Sequence, residues 1–510
     1  MKFKVFLAFL VGVISIASIN GADTNATVTP VTSTTVPTTI ATTTTTVKPV
    51  VITKDSLLCK RCSCIIDILE LNCNNKSMTQ WFNDDEWNTI TNGNVQFITL
   101  RMEHNNLTNI PPLKPASVQN LYLGHNLINR IETAAFRNFI NLTILDLSYN
   151  NLTTKSLRPE VFQGNYNAQN YQPMANLKQL DLGHNALHSL DADVFEHFPI
   201  LEILNLGSNQ FQVMDHQTEV AITGLVHLKT LDLSYMELKD LPDNLLHAPR
   251  DLENLILTGN LLDEVPDGID RAVNLKSLTF DENLLVNLEK ENVFPKMPKL
   301  EFLSISYSAD LAKIGAGAFS NLQGLKKIQL SDNPKLSYID PKAFANATVN
   351  PLIFDYPTLE ELNLHNNNLT HLDHDLFERW DKIKSIDLRR NPWNCDSDNS
   401  WLIHTLMTQI NETSPLLVKD VVCGAPSAWK SKQLSELNHD KNILRCESDS
   451  DTSSDGRLLI GLLIGLFVGI PISLGAVLAY RRGYFGLLFN RGHTGQSLYN
   501  RASFQDDFHI

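Results

Sequence analysis

The chain has 510 residues, 43% of them hydrophobic but only 8% aromatic, so any large core must be built mainly from aliphatic side chains. Its formal net charge of −14 argues against nucleic acid as a ligand, because that affinity rests on Lys and Arg neutralising phosphates. The seven cysteines leave a gap from Cys73 to Cys395, which points to two stapled ends on a disulfide-free middle and away from an ordinary cytosolic enzyme.

Residues 1–22 read as a secretory signal peptide: Lys2 and Lys4 precede an apolar run over 5–19, and the small Gly21 and Ala22 follow it. Residues 23–56 are rich in Thr and Pro, cannot bury a core and are expected to form a disordered, O-glycosylated stalk. The segment 57–96 holds Cys59, Cys62, Cys64 and Cys73. Zinc is the rival ligand for such a cluster, and the secretory route favours disulfides.

Over 97–390 the pattern L-x-x-L-x-L-x-x-N-x-L recurs about twelve times. Copies begin at Phe97, Val118, Leu142, Leu177, Leu201, Leu228, Leu252, Leu275, Leu300, Leu325, Leu359 and Ile383, at intervals of 21 to 35 residues. Many carry a later aromatic, as at Phe136, Phe162, Phe195, Phe294, Phe319, Phe344 and Phe377. A second cysteine-rich segment, 391–447, contains Trp393, Cys395, Trp401, Cys423 and Cys446, and a linker over 448–457 follows.

Residues 458–480 are 23 positions without a charge. As a helix rising ~1.5 Å per residue they reach about 34 Å, enough for a hydrocarbon core of ~30 Å. Arg481 and Arg482 follow at once, whereas Asp449, Asp451 and Asp455 precede, so the positive-inside rule puts the 481–510 tail in the cytoplasm. The expectation is a type I single-pass protein of the plasma membrane. Gly461, Gly465 and Gly469 form a small-xxx-small stripe suited to helix dimerisation.

The repeats resemble the leucine-rich repeat in its ~24-residue extracellular form. This resemblance implies an α/β solenoid, a curved horseshoe with a parallel sheet on its concave face. Strand alternation then points positions four and six of each copy inward and positions three, five, seven and eight outward. The asparagine at position nine should satisfy backbone groups of the turn. Met236 and Ser308 replace it in the sixth and ninth copies, where local irregularity is expected. The flanks resemble the cysteine-rich caps of the same proteins, which implies the pairs Cys59–Cys64, Cys62–Cys73 and Cys395–Cys423. Ser397 stands where the second cysteine of the C-terminal pattern belongs. That leaves Cys446 either to bridge two chains or to remain a free thiol.

Sequons occur at Asn25, Asn75, Asn106, Asn141, Asn151, Asn346, Asn368 and Asn411, with none between 153 and 345. The sugar-free turns over 177–324 are therefore the candidate surface for a protein partner. Their outward positions supply Asp181, His184, Asn205, Asp232, Tyr235, Glu282 and Tyr307. His104 and His125 share a column, yet two histidines without a carboxylate define no metal site. Neither a catalytic motif nor a cofactor motif is present. The ectodomain resembles those of Toll receptors, but thirty residues after the membrane are too few for their signalling domain. The tail ends in Phe508, His509 and Ile510, which resembles a ligand for PDZ domains. The expected function is adhesion or recognition through an extracellular protein ligand, with a homodimer as one form. A signalling co-receptor and a matrix tether are the alternatives.

Overall fold

The computed structural model describes residues 56–437, except 165, 168–169, 172, 291 and 350–352, together with Ile52 and Arg481. The signal peptide, Asn25, most of the stalk, Cys446, the linker, the 458–480 segment with Gly461, Gly465 and Gly469, and the tail with Phe508 and Ile510 lie outside the described residues. Among the described residues, no helix is long and apolar enough to cross a membrane.

One sheet of fourteen short strands runs through the repeats, its neighbours paired in chain order. It comprises β1 (Ser63–Ile65), β2 (Glu70–Asn72), β3 (Thr99–Arg101), β4 (Asn120–Tyr122), β5 (Ile144–Asp146), β6 (Gln179–Asp181) and β7 (Ile203–Asn205). It continues with β8 (Thr230–Asp232), β9 (Asn254–Ile256), β10 (Ser277–Thr279), β11 (Phe302–Ser304), β12 (Lys327–Gln329), β13 (Glu361–Asn363) and β14 (Ser385–Asp387). Strands β3 to β14 occupy positions three to five of the twelve copies. The β1–β2 pair is antiparallel and every later pair is parallel.

Register follows from the leucines. Leu145, Leu180, Leu204, Leu231 and Leu255 pair centre to centre and are fully buried, as are Leu147, Leu182, Leu206, Leu233 and Leu257 two residues on. No single turn could shield these side chains; stacking in register buries them as one column. A slip of one residue would turn the whole column to solvent.

The asparagine at position nine stitches the turns. Asn150 donates to the carbonyls of Leu147 (3.0 Å), Ser148 (3.0 Å) and, one turn earlier, Leu123 (3.1 Å), and it accepts from the Ile128 N–H (3.0 Å). Asn126, Asn185 and Asn209 repeat this pattern, all buried. At Met236 the work moves to neighbours: Asn260 accepts from both Met236 N–H (3.1 Å) and Leu238 N–H (3.0 Å), and Gln212 N–H donates to the Met236 carbonyl (2.9 Å). The Ser308 hydroxyl is buried without a hydrogen-bond partner. Strand pairing passes through both copies unbroken, so the irregularity is confined to the turn.

The later aromatics of the units pack against one another in two runs. Phe136, Phe162 and Phe198 have centroids 5.9 and 4.8 Å apart. Phe294, Phe319, Phe344 and Phe377 follow at 5.8, 4.8 and 4.6 Å. The long third and tenth copies spend their extra residues on antiparallel hairpins, Tyr166–Asn167 with Asn170–Tyr171 and Asn346–Ala347 with Phe354–Asp355.

Both ends of the leucine column are covered. At the first, Cys59 is bonded to Cys64 and Cys62 to Cys73, and β2 lays Leu71 against Leu100. The helix Asp84–Asn92 adds buried Trp87 and Ile90; it starts on an Asn83/Glu86 capping box. Glu86 also takes the Arg61 guanidinium at 2.9 Å. At the other end, Cys395 is bonded to Cys423, and Trp393 is fully buried with its indole N–H on the Leu388 carbonyl (2.9 Å). The helical run Leu402–Leu406 and Met407–Thr413 packs Leu402, Ile403, Leu406 and Ile410 against it.

Candidate partner-binding surface

The open face of the sheet is ordered by one local device. At position five, a carboxylate or amide oxygen accepts the N–H of position seven: Asp146 from Ser148, Asp181 from Gly183, Asn205 from Gly207 and Asp232 from Ser234, all at 2.8–2.9 Å. The bond closes the strand in these turns, and position eight lies in left-handed backbone throughout, with φ of 52–58° from His104 to Arg390 wherever the residue is not glycine. Position eight thus projects a fixed column of side chains from the rim of the sheet.

In the first four turns this column is a ladder of rings. His104 and His125 stack at 4.3 Å, His125 and Tyr149 at 4.0 Å, and Tyr149 and His184 at 3.8 Å, with planes within 17° of parallel. Burial, with a neighbouring histidine second, holds His125 and His184 below the usual imidazole range. Farther along, the Tyr235 ring lies over Gly259. A Cβ there would sit 2.2 Å from the ring, and the glycine has φ of +71°. That gap lets the Tyr235 hydroxyl reach two turns along and donate to Glu282 Oε1 at 2.9 Å. Burial and the Glu282 carboxylate push the Tyr235 hydroxyl up to about 12. Tyr307 is raised by the charge of Asp332 beside it.

Asp181, Asn205 and Asp232 stand in one row of paired residues. Desolvation, with Asp146 and Asp232 nearby, raises Asp181 to about 6, although Gly183 N–H and the Asn205 side chain donate to it. At Gly183 a side chain would foul this row: a Cβ there would lie 2.9 Å from Asn205 Nδ2.

Of the sequence candidates, the structure brings Tyr235 to Glu282 and sets Asp181, Asn205 and Asp232 side by side. His184 is joined instead to Tyr149, His125 and His104, none of which sequence reasoning placed in the surface. Tyr149 shares position eight with the others and differs only in lying outside 177–324. Of the sequons among the described residues, Asn75, Asn106, Asn141, Asn151, Asn368 and Asn411 are exposed and Asn346 is half-buried. Asn106, Asn151 and Asn368 each send their N–H to a carbonyl of the preceding turn, Met78, Ile128 and Leu336, and so share one edge.

The edge at position two is a second feature absent from the sequence reading. Lys178, Glu202, Lys229, Glu253, Lys276, Glu301, Lys326, Glu360 and Lys384 alternate in sign over nine consecutive turns. Contacts of 2.7–2.9 Å join Lys178 and Lys229 to Glu202, Lys276 to Glu253, Lys326 to Glu301 and Lys384 to Glu360. Numbering the repeat and reading down column two reveals it.

Ligand atoms of His371, Asp396 and Asp398 gather within 4.8 Å of one another near the C-terminal cap. Asp396 accepts from the N–H groups of Asp398 (3.1 Å) and Asn399 (3.3 Å), so it serves the turn after Cys395.

Such an array of in-register turns defines a leucine-rich repeat solenoid. The leucine-rich repeat model matches residues 116–167, 175–234, 298–348 and 357–402, and the chain carries these repeats. Among curated proteins it is similar to Tsukushi of Gallus gallus, 28% identical over 285 residues that make up 55% of this chain and 70% of that one. It is also similar to podocan-like protein 1 of Homo sapiens, 28% identical over 304 residues, 59% of this chain and 53% of that protein. CD180 antigen of Mus musculus is 25% identical over 330 residues, 65% of this chain and 42% of the antigen. The chain thus spans about half of podocan-like protein 1 and less of CD180 antigen.

Proposed function

We propose that the chain is a type I single-pass protein of the cell surface that binds a protein partner through the open face of its leucine-rich repeats, as an adhesion or recognition receptor. The observation that carries this reading is the position-eight column. Tyr149, Tyr235 and Tyr307 are 39%, 47% and 58% exposed, yet each is held on a fixed left-handed residue of a rigid sheet. Exposed aromatics that lose little freedom on contact are what protein interfaces use as anchors. The uncharged 458–480 segment and the sequon-free 177–324 window support the membrane topology and the choice of face. Cys446 and the Gly461, Gly465 and Gly469 stripe support a homodimer beside and within the membrane. A band of doubled mass on non-reducing electrophoresis of oxidised membranes, lost in Cys446→Ala, is the expected sign of the bridge. The Phe508 and Ile510 ending supports a PDZ contact.

The test of the binding face is a sugar. Ser208→Asn with Gln210→Thr creates a sequon around the untouched Asn209, on a position-eight residue that already has φ of 57°. Cells displaying the full chain should lose partner-dependent aggregation when this site is glycosylated. Unchanged aggregation at equal surface display rules out the open face.

A further inference from the structure

The charges of the open face are one-sided, and this gives the partner a chemistry. Across positions three, five, seven and eight of the second to ninth turns there are five carboxylates and neither a lysine nor an arginine. The face regains cations only beyond this stretch: Arg101 in the first turn, held by Glu103 (3.0 Å) and Glu70 (3.3 Å), Lys327 in the tenth, held by Glu361 (2.7 Å), and Arg389 and Arg390 in the twelfth, the former held by Asp387 (2.6 Å). Nearby lysines do not compensate, because the position-two edge spends them on its own glutamates.

The fold does not need these charges. Asn205 makes the same bond to position seven as Asp146, Asp181 and Asp232, and Asn363 and Asn72 repeat it at 3.0 Å. An amide would close every turn equally well, yet three of four consecutive turns carry an anion, and Asp181 bears it against its own desolvation. Beside the row stand the tyrosines of position eight, whose ring faces attract guanidinium and ammonium groups. Arg101 already shows that contact on this face, 4.1 Å above the Tyr122 ring.

We propose that the open face of the second to ninth turns binds a cationic, Lys/Arg-rich segment of its protein partner, neutralised by the position-five and position-seven carboxylates and stacked on the position-eight tyrosines. This deepens the receptor reading above and rests on it. An extended basic strand lying across the turns would meet an anion at Asp146, Asp181 and Asp232, and again at Asp281 and Glu282.

The test uses the full chain in detergent micelles and a fluorescent deca-arginine peptide, with deca-glutamate as the reference. The face variant Asp146→Asn/Asp181→Asn/Asp232→Asn, made with Ser148→Ala and Ser234→Ala so that no new sequon arises, removes three charges and keeps the turn bonds to the position-seven N–H groups. A control variant, Asp193→Asn/Asp263→Asn/Asp267→Asn, removes three exposed charges elsewhere. The face variant should bind deca-arginine about tenfold more weakly, the sum of a few modest ion pairs, and the control within about twofold of the parent. Equal losses in both variants mean diffuse attraction to an acidic protein and overturn the proposal; no loss in either does the same. Neither result touches the sugar experiment. If glycosylation at residue 208 abolishes aggregation while deca-arginine ignores the face variant, the face binds a partner of other chemistry. If aggregation survives the sugar, the receptor reading itself fails.

Discussion

Two stripes of the same solenoid, a few residues apart in every turn, treat charge in opposite ways. At position two the sign alternates from Lys178 to Lys384, and most charges lie within 3 Å of an opposite partner on the adjacent turn. At positions five, seven and eight, acids recur with neither a lysine nor an arginine from the second to the ninth turn. Repeats stacked at a strand spacing of ~4.8 Å make any column a row of near neighbours, so like charges in a column repel and alternating charges attract. The position-two edge is the arrangement that serves the fold alone. The open face departs from it, and this departure is where something besides folding has shaped the chain.

The interior sets the scale for breaking either stripe. Asn260 accepts two N–H groups and donates to the carbonyls of Leu233 and Leu257 at 2.9 Å. Asn260→Ala leaves buried backbone groups unpaired on two turns and should destabilise by about 3 kcal/mol, read as a lower unfolding midpoint. A loss below about 1 kcal/mol would mean that water or backbone shifts replace the ladder. Gly259→Ala is next, at roughly 1–2 kcal/mol, because the left-handed backbone and the Tyr235 ring both oppose a Cβ. It should also free Tyr235 from Glu282. Ultraviolet titration of the tyrosines would then lose a hydroxyl ionising near 12, a change that simple destabilisation does not produce.

On the open face, pH separates the two kinds of group. Asp181 is raised to about 6 in the folded protein, so its contribution is fully present below its unfolded value of 3.8 and is lost as pH rises through about 6. Asp181→Asn should therefore stabilise by about 1–2 kcal/mol at pH 7.5, after allowance for partial exposure, and change little at pH 4. His125 and His184 have the opposite sign. Their folded values are lowered, so their contribution is present above 6.5 and is lost as pH falls through the depressed values. Removing Asp181 should leave the histidine loss unopposed, so the variant's stability falls more steeply between pH 7 and 5 than the parent's. Parallel pH profiles would show that Asp181 is not desolvated by its neighbours.

How much of this was legible from the residues depends on the range over which each feature is decided. Strand positions and the inward leucines are set within one repeat, by a period of two over a few residues, and Leu180 and Leu182 are as buried as that period requires. The asparagine ladder reads equally well, because a buried amide at Asn150 has only backbone to satisfy. The Tyr235–Glu282 bond does not, since it skips a turn and depends on the missing side chain of Gly259. The ring ladder from His104 to His184 is hidden by the sequon boundary, because the sequons at Asn141 and Asn151 lie close to Tyr149 in sequence. Insertions gave the least. The residues of the third and tenth copies mark extra length but not the hairpins it becomes.

The smallest effect tests the comparison itself. Glu202 lies between Lys178 at 2.9 Å and Lys229 at 2.8 Å, and both lysines are about half exposed. Lys229→Met should leave the unfolding midpoint almost unchanged, since solvent screens each pair and Lys178 still holds the glutamate. Glu202→Lys should cost more, because it sets three like charges on consecutive turns, and 1 M salt should erase most of that penalty, the Debye length there being ~3 Å. The matching change on the open face, Asn205→Asp, sets a fourth acid in the row between Asp181 and Asp232. If the two stripes obeyed one rule, Asn205→Asp would be as salt-sensitive as Glu202→Lys. Because Asp181 is held away from solvent, the face penalty should survive salt that abolishes the edge penalty, and should instead vanish on acidification below pH 4. Thermal unfolding of both variants across salt and pH distinguishes a screened surface row from a partly buried one.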